Sequence, residues 1–266
     1  MQLPALVITA PGINCDLELC RAFELAGATV ETIHLQRLSR EPALVDRFRL
    51  IGLPGGFSYG DDIAAGRVMA QLMRHTVYPA LAAAIARGVP MITPCNGFQI
   101  AVQAGLLPGP SAGARWPDEP AAPTVALMQN VNARFHDGWT RFEVPAETRC
   151  IWTRGLRPAP GTDLLPSAHG EGRFVTDEDT LAQLKANGQV AIRYVASDNF
   201  NGSIDAIAGI CDATGLVLGL MPHPERYTRW THHPWWTRLS PALRQGDPPG
   251  LAIFRQAVAH ASRVSV

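Results

Sequence analysis

Val89-Pro90-Met91-Ile92-Thr93-Pro94-Cys95-Asn96-Gly97-Phe98-Gln99-Ile100 is the stretch that decides the fold. An apolar run with strand character ends at Pro94, and a pattern with helix character opens at Gly97. Cys95 therefore falls on the turn between a strand and a helix. A side chain there stands clear of the backbone and faces a helix N-terminus, whose dipole stabilises a thiolate. In this strand–nucleophile–helix arrangement, the amide after the nucleophile can also help to bind an oxyanion. A free cysteine is equally a common core residue, so burial stands beside catalysis as a reading of Cys95. Cys15, Cys20, Cys150 and Cys211 have no such setting; Cys15 and Cys20 read as lying on a helix.

Outward from this turn the chain alternates strands and helices. Ala5–Thr9 is an apolar run bounded by Pro4 and Pro11-Gly12, as suits a strand buried on both faces. Cys15, Leu19, Ala22 and Ala26 form a helical stripe, with Asn14 as N-cap and Gly27 as C′ residue. Strands follow at 28–35 and at 50–54, the latter running into Gly55-Gly56. Residues 63–87 read as helical and divided by Pro79, ahead of the strand at 89–93. Such alternation predicts a mainly parallel sheet flanked by helices. Asn14, Gly55-Gly56 and Cys95 all follow apolar strands, so they should share the rim where open sheets bind ligands.

The second half reads differently. Residues 108–123 are dense in Pro, Gly and Ala and predict a surface loop. Additional, antiparallel strands are expected at 124–128, 141–144 and 190–195, with a helix at 180–186. Residues 204–220 predict a hairpin turning at Asp212–Gly215, and 251–261 a final helix. Trp230, Trp235 and Trp236 read as closing over this chain's own core, with a partner surface as the alternative.

Bulk properties narrow the function classes. The chain has 266 residues, 47% of them hydrophobic, enough for a sizeable core. Lys plus Arg and Asp plus Glu both number 23, so no net charge draws the chain to nucleic acid or an anionic membrane. Five cysteines without regular spacing do not form a disulfide framework, which points to a reducing cytoplasm. Met1-Gln2-Leu3-Pro4 lacks the basic region of a signal peptide, and no run is long enough to span a membrane. His232-His233 and the scattered cysteines lack zinc-site spacing, so no metal is expected. The chain has no Gly-x-x-x-x-Gly-Lys phosphate loop.

A base for Cys95 is found in Met221-Pro222-His223-Pro224-Glu225-Arg226. Pro224 biases His223 toward extended geometry, which would put His223 and Glu225 on one side. A carboxylate beside an imidazole orients it and stabilises its charged form, as a thiol's base requires. A solvated surface histidine, and an ordinary Glu225–Arg226 charge pair, are the competing readings.

Together these residues resemble the class I glutamine amidotransferases, whose triad is Cys, His and Glu. The resemblance narrows to the glutaminase components of phosphoribosylformylglycinamidine synthases. It is carried by Leu53–Asp61, Pro11–Asp16, Cys95–Gln99, Ala168–Phe174 and Met221–Arg226, with Asn201-Gly202-Ser203 followed by Ile207–Ile210. It implies one α/β amidotransferase domain over 1–266, with 227–266 an extension packed on it or on a partner. It makes Cys95 the nucleophile, His223 the base and Glu225 its orienter. Gly55, Gly56, Asn96 and Gln99 become the oxyanion or substrate-binding residues. His169, Glu171 and Arg173, read as a polar cluster in a loop, go near the pocket or a partner interface, with a satisfied turn as the competing reading.

The implied reaction releases ammonia from glutamine through a cysteine thioester. A large synthetase component, with a small accessory subunit, would use ATP and magnesium to make formylglycinamidine ribonucleotide. No cofactor is then expected in this chain. A relative serving another acceptor, and a non-catalytic regulator of the synthetase, are the alternatives. The Leu53–Asp61 and Ala168–Phe174 motifs oppose the first, and the intact Cys95, His223 and Glu225 oppose the second. One departure stands out. The family usually has Gly and an aliphatic residue before the nucleophile, where this chain has the bulkier Thr93-Pro94.

Overall fold

The computed structural model describes residues 3–264. The expected domain limits at 1 and 266, and the Met1-Gln2 part of the leader reading, lie outside the described residues. The first half runs β1 (Leu3–Thr9), α1 (Asp16–Ala26), β2 (Ala28–His34), α2 (Leu35–Arg40), β3 (Leu50–Gly52), α3 (Arg67–Thr76) and α4 (Tyr78–Ala86). β4 (Met91–Pro94) and α5 (Asn96–Gln103) follow. The second half holds β5 (Val125–Met128), β6 (His136–Glu143), β7 (Leu164–His169), β8 (Arg173–Thr176), α6 (Glu178–Ala186), β9 (Val190–Tyr194), β10 (Ile207–Cys211), β11 (Val217–Leu220) and α7 (Pro249–Arg263).

Nine strands form one sheet in the order β2-β1-β3-β4-β11-β10-β9-β6-β7. Pairing is parallel from β2 through to β11 and antiparallel beyond it. β5 and β8 make a separate two-stranded ladder. The expected mainly parallel sheet with antiparallel strands added in the second half is therefore present. Ala5, Leu6, Val7 and Ile8 are completely buried, as a parallel strand covered on both faces requires.

The C-terminal helix belongs to this core. The Phe254 ring of α7 meets Phe23 of α1 at 5.3 Å and Trp152 at 6.2 Å, both edge to face. Full burial of such a ring contributes about 2–3 kcal/mol. The tryptophans ahead of α7 divide. Trp230 packs against Tyr227, whereas Trp235 and Trp236 are 54% and 38% exposed. Core closure therefore holds for one of the three, because the loop carrying the other two runs along the surface.

Several local expectations are corrected. α1 begins at Asp16, one residue after Cys15, and no side chain caps it, so Asn14 is not an N-cap. Gly27 does close that helix in the left-handed region. The 63–87 helix starts only at Arg67, and Pro79 sits in the first turn of α4, where its missing amide costs nothing. β7 and β8 were not foreseen. The polar cluster is thus no free loop: His169 ends β7, Arg173 opens β8, and Glu171 lies in the turn between them.

Candidate active site

Three adjacent parallel strands deliver the site. β3, β4 and β11 lie side by side, and the chain leaves their C-terminal ends into Gly55-Gly56, Cys95 and His223 respectively. Cys95 takes φ 51° and ψ −112°, a region that a side chain other than glycine rarely occupies. Surrounding bonds hold it there: its amide donates to Leu220 O at 2.8 Å, while its carbonyl accepts from the Phe98 and Gln99 amides. The thiol, on a residue only 7% exposed, lies 3.6 Å from the Ala168 carbonyl.

Thr93-Pro94 does not prevent this elbow. Thr93 is buried, and its hydroxyl donates to Leu218 O at 3.1 Å, so the extra polar atom is satisfied. Gly219 lies opposite Thr93 in the β4–β11 ladder, where a Cβ would overlap the Phe98 ring of α5. Pro94 is the last residue of β4. Gly97 permits the close approach of α5, because a Cβ there would overlap the Leu53 carbonyl.

His223 and Glu225 come together, but not as an extended pair. Pro224–Arg226 is a 3₁₀ turn, which swings the carboxylate back onto the ring. The His223 Nδ1 lies 2.6 Å from Glu225 Oε1, and both side chains are sealed from solvent. The His223 amide donates to Pro166 O of β7 at 2.7 Å, which ties the antiparallel end of the sheet to the site. Burial opposes a charge on His223. The Glu225 carboxylate and the sulfurs of Cys95 and Cys15 outweigh it, holding the ring's pKa well above the ordinary histidine value.

The amide of Asn96 is the first of α5, one of those without a helical acceptor. Its buried side chain knits the neighbouring loop to the helix. Asn96 Oδ1 accepts from Ser58 N at 3.1 Å, and Nδ2 donates to Gln99 Oε1 at 2.9 Å and Asp61 Oδ1 at 3.3 Å. Gln99 Nε2 donates in turn to the Glu171 carbonyl. Gly56 has φ 143°, and a Cβ on Gly55 would come within 3.0 Å of His223 Cε1. Glycine at 55 thus leaves the imidazole its place.

These residues open onto a cavity of about 470 Å³. Cys95, His223, Gly56, Gln99, His169 and Glu171 line it, whereas Arg173 does not; its side chain runs toward Gly202. Asn14, expected on the ligand rim, also lines it, as do Cys15, Asp61, Asp137 and Arg226, which were not singled out as site residues from the sequence. Cys15 was hidden by its fit to the α1 stripe. Asp61 was legible only as part of Leu53–Asp61; burial, ahead of the Glu171 charge, raises its pKa.

His169 is neutral. Asn130 Nδ2 donates to two carbonyls, which orients Asn130 Oδ1 toward His169 Nδ1 at 3.2 Å. Nδ1 is therefore the donor, and Nε2 faces the Tyr194 hydroxyl at 3.5 Å. Burial, then the charges of His223 and His136, lower its pKa to about 3.

A strained cysteine on a strand–helix elbow, with a buried His–Glu pair beside it, is the arrangement of a thiol-dependent acyl-transfer site. Residues 2–261 match the CobB/CobQ-like glutamine amidotransferase domain. The chain is 35% identical to the phosphoribosylformylglycinamidine synthase subunit PurQ of Dehalococcoides mccartyi, covering 99% of each chain. It is 41% identical to the Corynebacterium efficiens PurQ over 82% of this chain and 86% of that one. A chain of the solved PurLQS structure from Thermotoga maritima superposes with TM-score 0.68 at 30% identity, covering 97% of this chain and 99% of that one. The chain belongs to the glutamine amidotransferases, and within them to the PurQ family. Among the described residues no helix is long and apolar enough to cross a membrane.

Proposed function

We propose that this chain is the glutaminase subunit of a phosphoribosylformylglycinamidine synthase. The Cys95 thiolate attacks the carboxamide carbon of glutamine. The Asn96 amide, with the Gly55-Gly56 turn, holds the oxyanion of the tetrahedral intermediate. His223 gives its proton to the departing nitrogen, and ammonia leaves. Neutral His223 then takes a proton from water, whose oxygen attacks the γ-glutamyl thioester. Glutamate leaves and the thiol is restored. Glu225 holds the ring in register and stabilises its charge through both steps. Gln99, Asp61 and Glu171 line the cavity where the rest of the substrate must lie.

Ammonia passes to a large synthetase component, assisted by a small subunit. That component converts formylglycinamide ribonucleotide to formylglycinamidine ribonucleotide and carries the ATP and magnesium. Kinship with a chain of the PurLQS assembly supports these partners. Free thiols at all five cysteines suit a reducing cytoplasm.

The observation that carries this reading is the buried His223–Glu225 pair beside a positive-φ cysteine in a chain of this family. The test is glutamate release by the chain, alone and with the synthetase components, with and without formylglycinamide ribonucleotide. Release should be weak alone and rise when the complex is complete. Absence of release under every condition overturns it.

A further inference from the structure

Behind the nucleophile the fold assembles a second group of ligating side chains. The Cys15 sulfur, a ring nitrogen of His223 and a carboxylate oxygen of Glu225 all lie within 4.8 Å of one another. All three residues are buried, at 1%, 1% and 2% exposure. They come from the turn before α1 and from the turn after β11, so no sequence spacing announces them.

A separate observation points to a missing ligand there. Glu225 Oε1 is taken by His223, but Oε2 is buried and has no hydrogen-bond partner. An orphaned carboxylate oxygen in a dry site is costly, and a cation or donor reaching it removes that cost. Thiolate, imidazole and carboxylate together are the donors that bind zinc, while calcium and magnesium prefer oxygen alone. A thiolate and a carboxylate also balance the charge of a divalent ion. Arg226 lies against the group, its Nη2 donating to the Cys15 sulfur at 3.1 Å. An ion would enter through the substrate cavity, which Cys15 and His223 line.

We propose that Cys15, His223 and Glu225 form an inhibitory site for zinc or a similar thiophilic divalent ion. Binding displaces the Cys15 thiol proton and the ring proton shared between His223 and Glu225, so two protons leave per ion. The ion holds the imidazole, which can then no longer serve Cys95. Removal of the ion by a chelator restores both protons and the activity. The proposal rests on the glutaminase reading only for its inhibitory effect; metal binding is measured independently.

The test uses Co²⁺ as a spectroscopic probe and Zn²⁺ as the inhibitor, with the full chain in its complex. Wild type should bind one Co²⁺ with a thiolate-to-cobalt charge-transfer band. Zn²⁺ should suppress glutamate release, and EDTA should restore it. Cys15→Ser should lose the band and need at least about tenfold more Zn²⁺ for half-inhibition, a shift of about 1.4 kcal/mol. Cys95→Ala, which removes the nucleophile, should keep the band. Loss of the band in Cys95→Ala with retention in Cys15→Ser places the ion on the nucleophile and overturns the proposal. Absence of a thiolate band in wild type overturns it without any variant. If Cys15→Ser does not fold, Cys15→Ala takes its place with the same expected outcome.

Discussion

The Nδ1 of His223 lies 2.6 Å from Oε1 of Glu225, and both side chains are buried. Two buried charges are expensive apart, and removing one partner of such a pair costs about 3–5 kcal/mol. The pair is therefore a fixed unit. Its carboxylate is the first of the influences that overcome burial and keep a proton on the ring.

Replacing Glu225 by Gln should expose this dependence. The neutral amide no longer stabilises the imidazolium, so the proton leaves His223 at lower pH. The alkaline limb of glutaminase activity should move toward acid, and kcat should fall on the order of 10³-fold. A pH–rate profile measures both, and an unmoved limb would contradict the assignment.

Cys95→Ala should lower glutamine-dependent turnover by about 10³-fold or more. Turnover with free ammonia should persist when the synthetase components are supplied, because only ammonia generation is lost. Paired assays with glutamine and with ammonium chloride separate the two. Normal glutamine-dependent turnover would remove Cys95 from the mechanism.

Gly55→Ala tests the packing around the imidazole. The new methyl group would sit 3.0 Å from His223 Cε1 and 3.3 Å from Cys95 Cβ. Displacing the ring by a fraction of an ångström should cost roughly 10–100-fold in kcat. Stability should change by no more than about 1–2 kcal/mol, as small overpacking usually does. Thermal melting alongside glutamate release checks the split.

His169 should govern part of the acid stability. Its pKa falls from 6.5 to about 3 on folding, so the unfolded chain takes up its proton first. The stability it contributes is present above pH 6.5 and is lost as pH falls toward 3. His169→Gln should therefore show a flatter loss of stability across that window. Urea melts at a series of pH values measure the slope.

Much of this arrangement was legible in the sequence, for physical reasons. Strands buried on both faces show as unbroken apolar runs, and those runs placed Asn14, Gly55-Gly56 and Cys95 on one rim. β7 escaped notice because Pro166 interrupts Leu164–His169. Proline is tolerated there because β7 is the last strand of its sheet, and on its outer edge Pro166 is needed only as an acceptor, for the His223 amide. The His223–Glu225 pairing was legible from spacing, but the 3₁₀ turn that achieves it was not. Cys15 was lost to a one-residue shift. Its fit to the helical stripe concealed that the helix starts at Asp16, which frees the thiol for the cavity.

The pairing of β4 with β11 has a further consequence. Pro94 and Leu220 stand opposite each other, and Cys95 and His223 follow within three residues. Cys95 and His223 are thus anchored on either side of a single rung of the sheet, roughly 4.8 Å wide. The loops around the cavity, which carry Phe57, Asp61, Phe135 and Glu171, are held by no such ladder rung, so the doorway is the part of the site free to change.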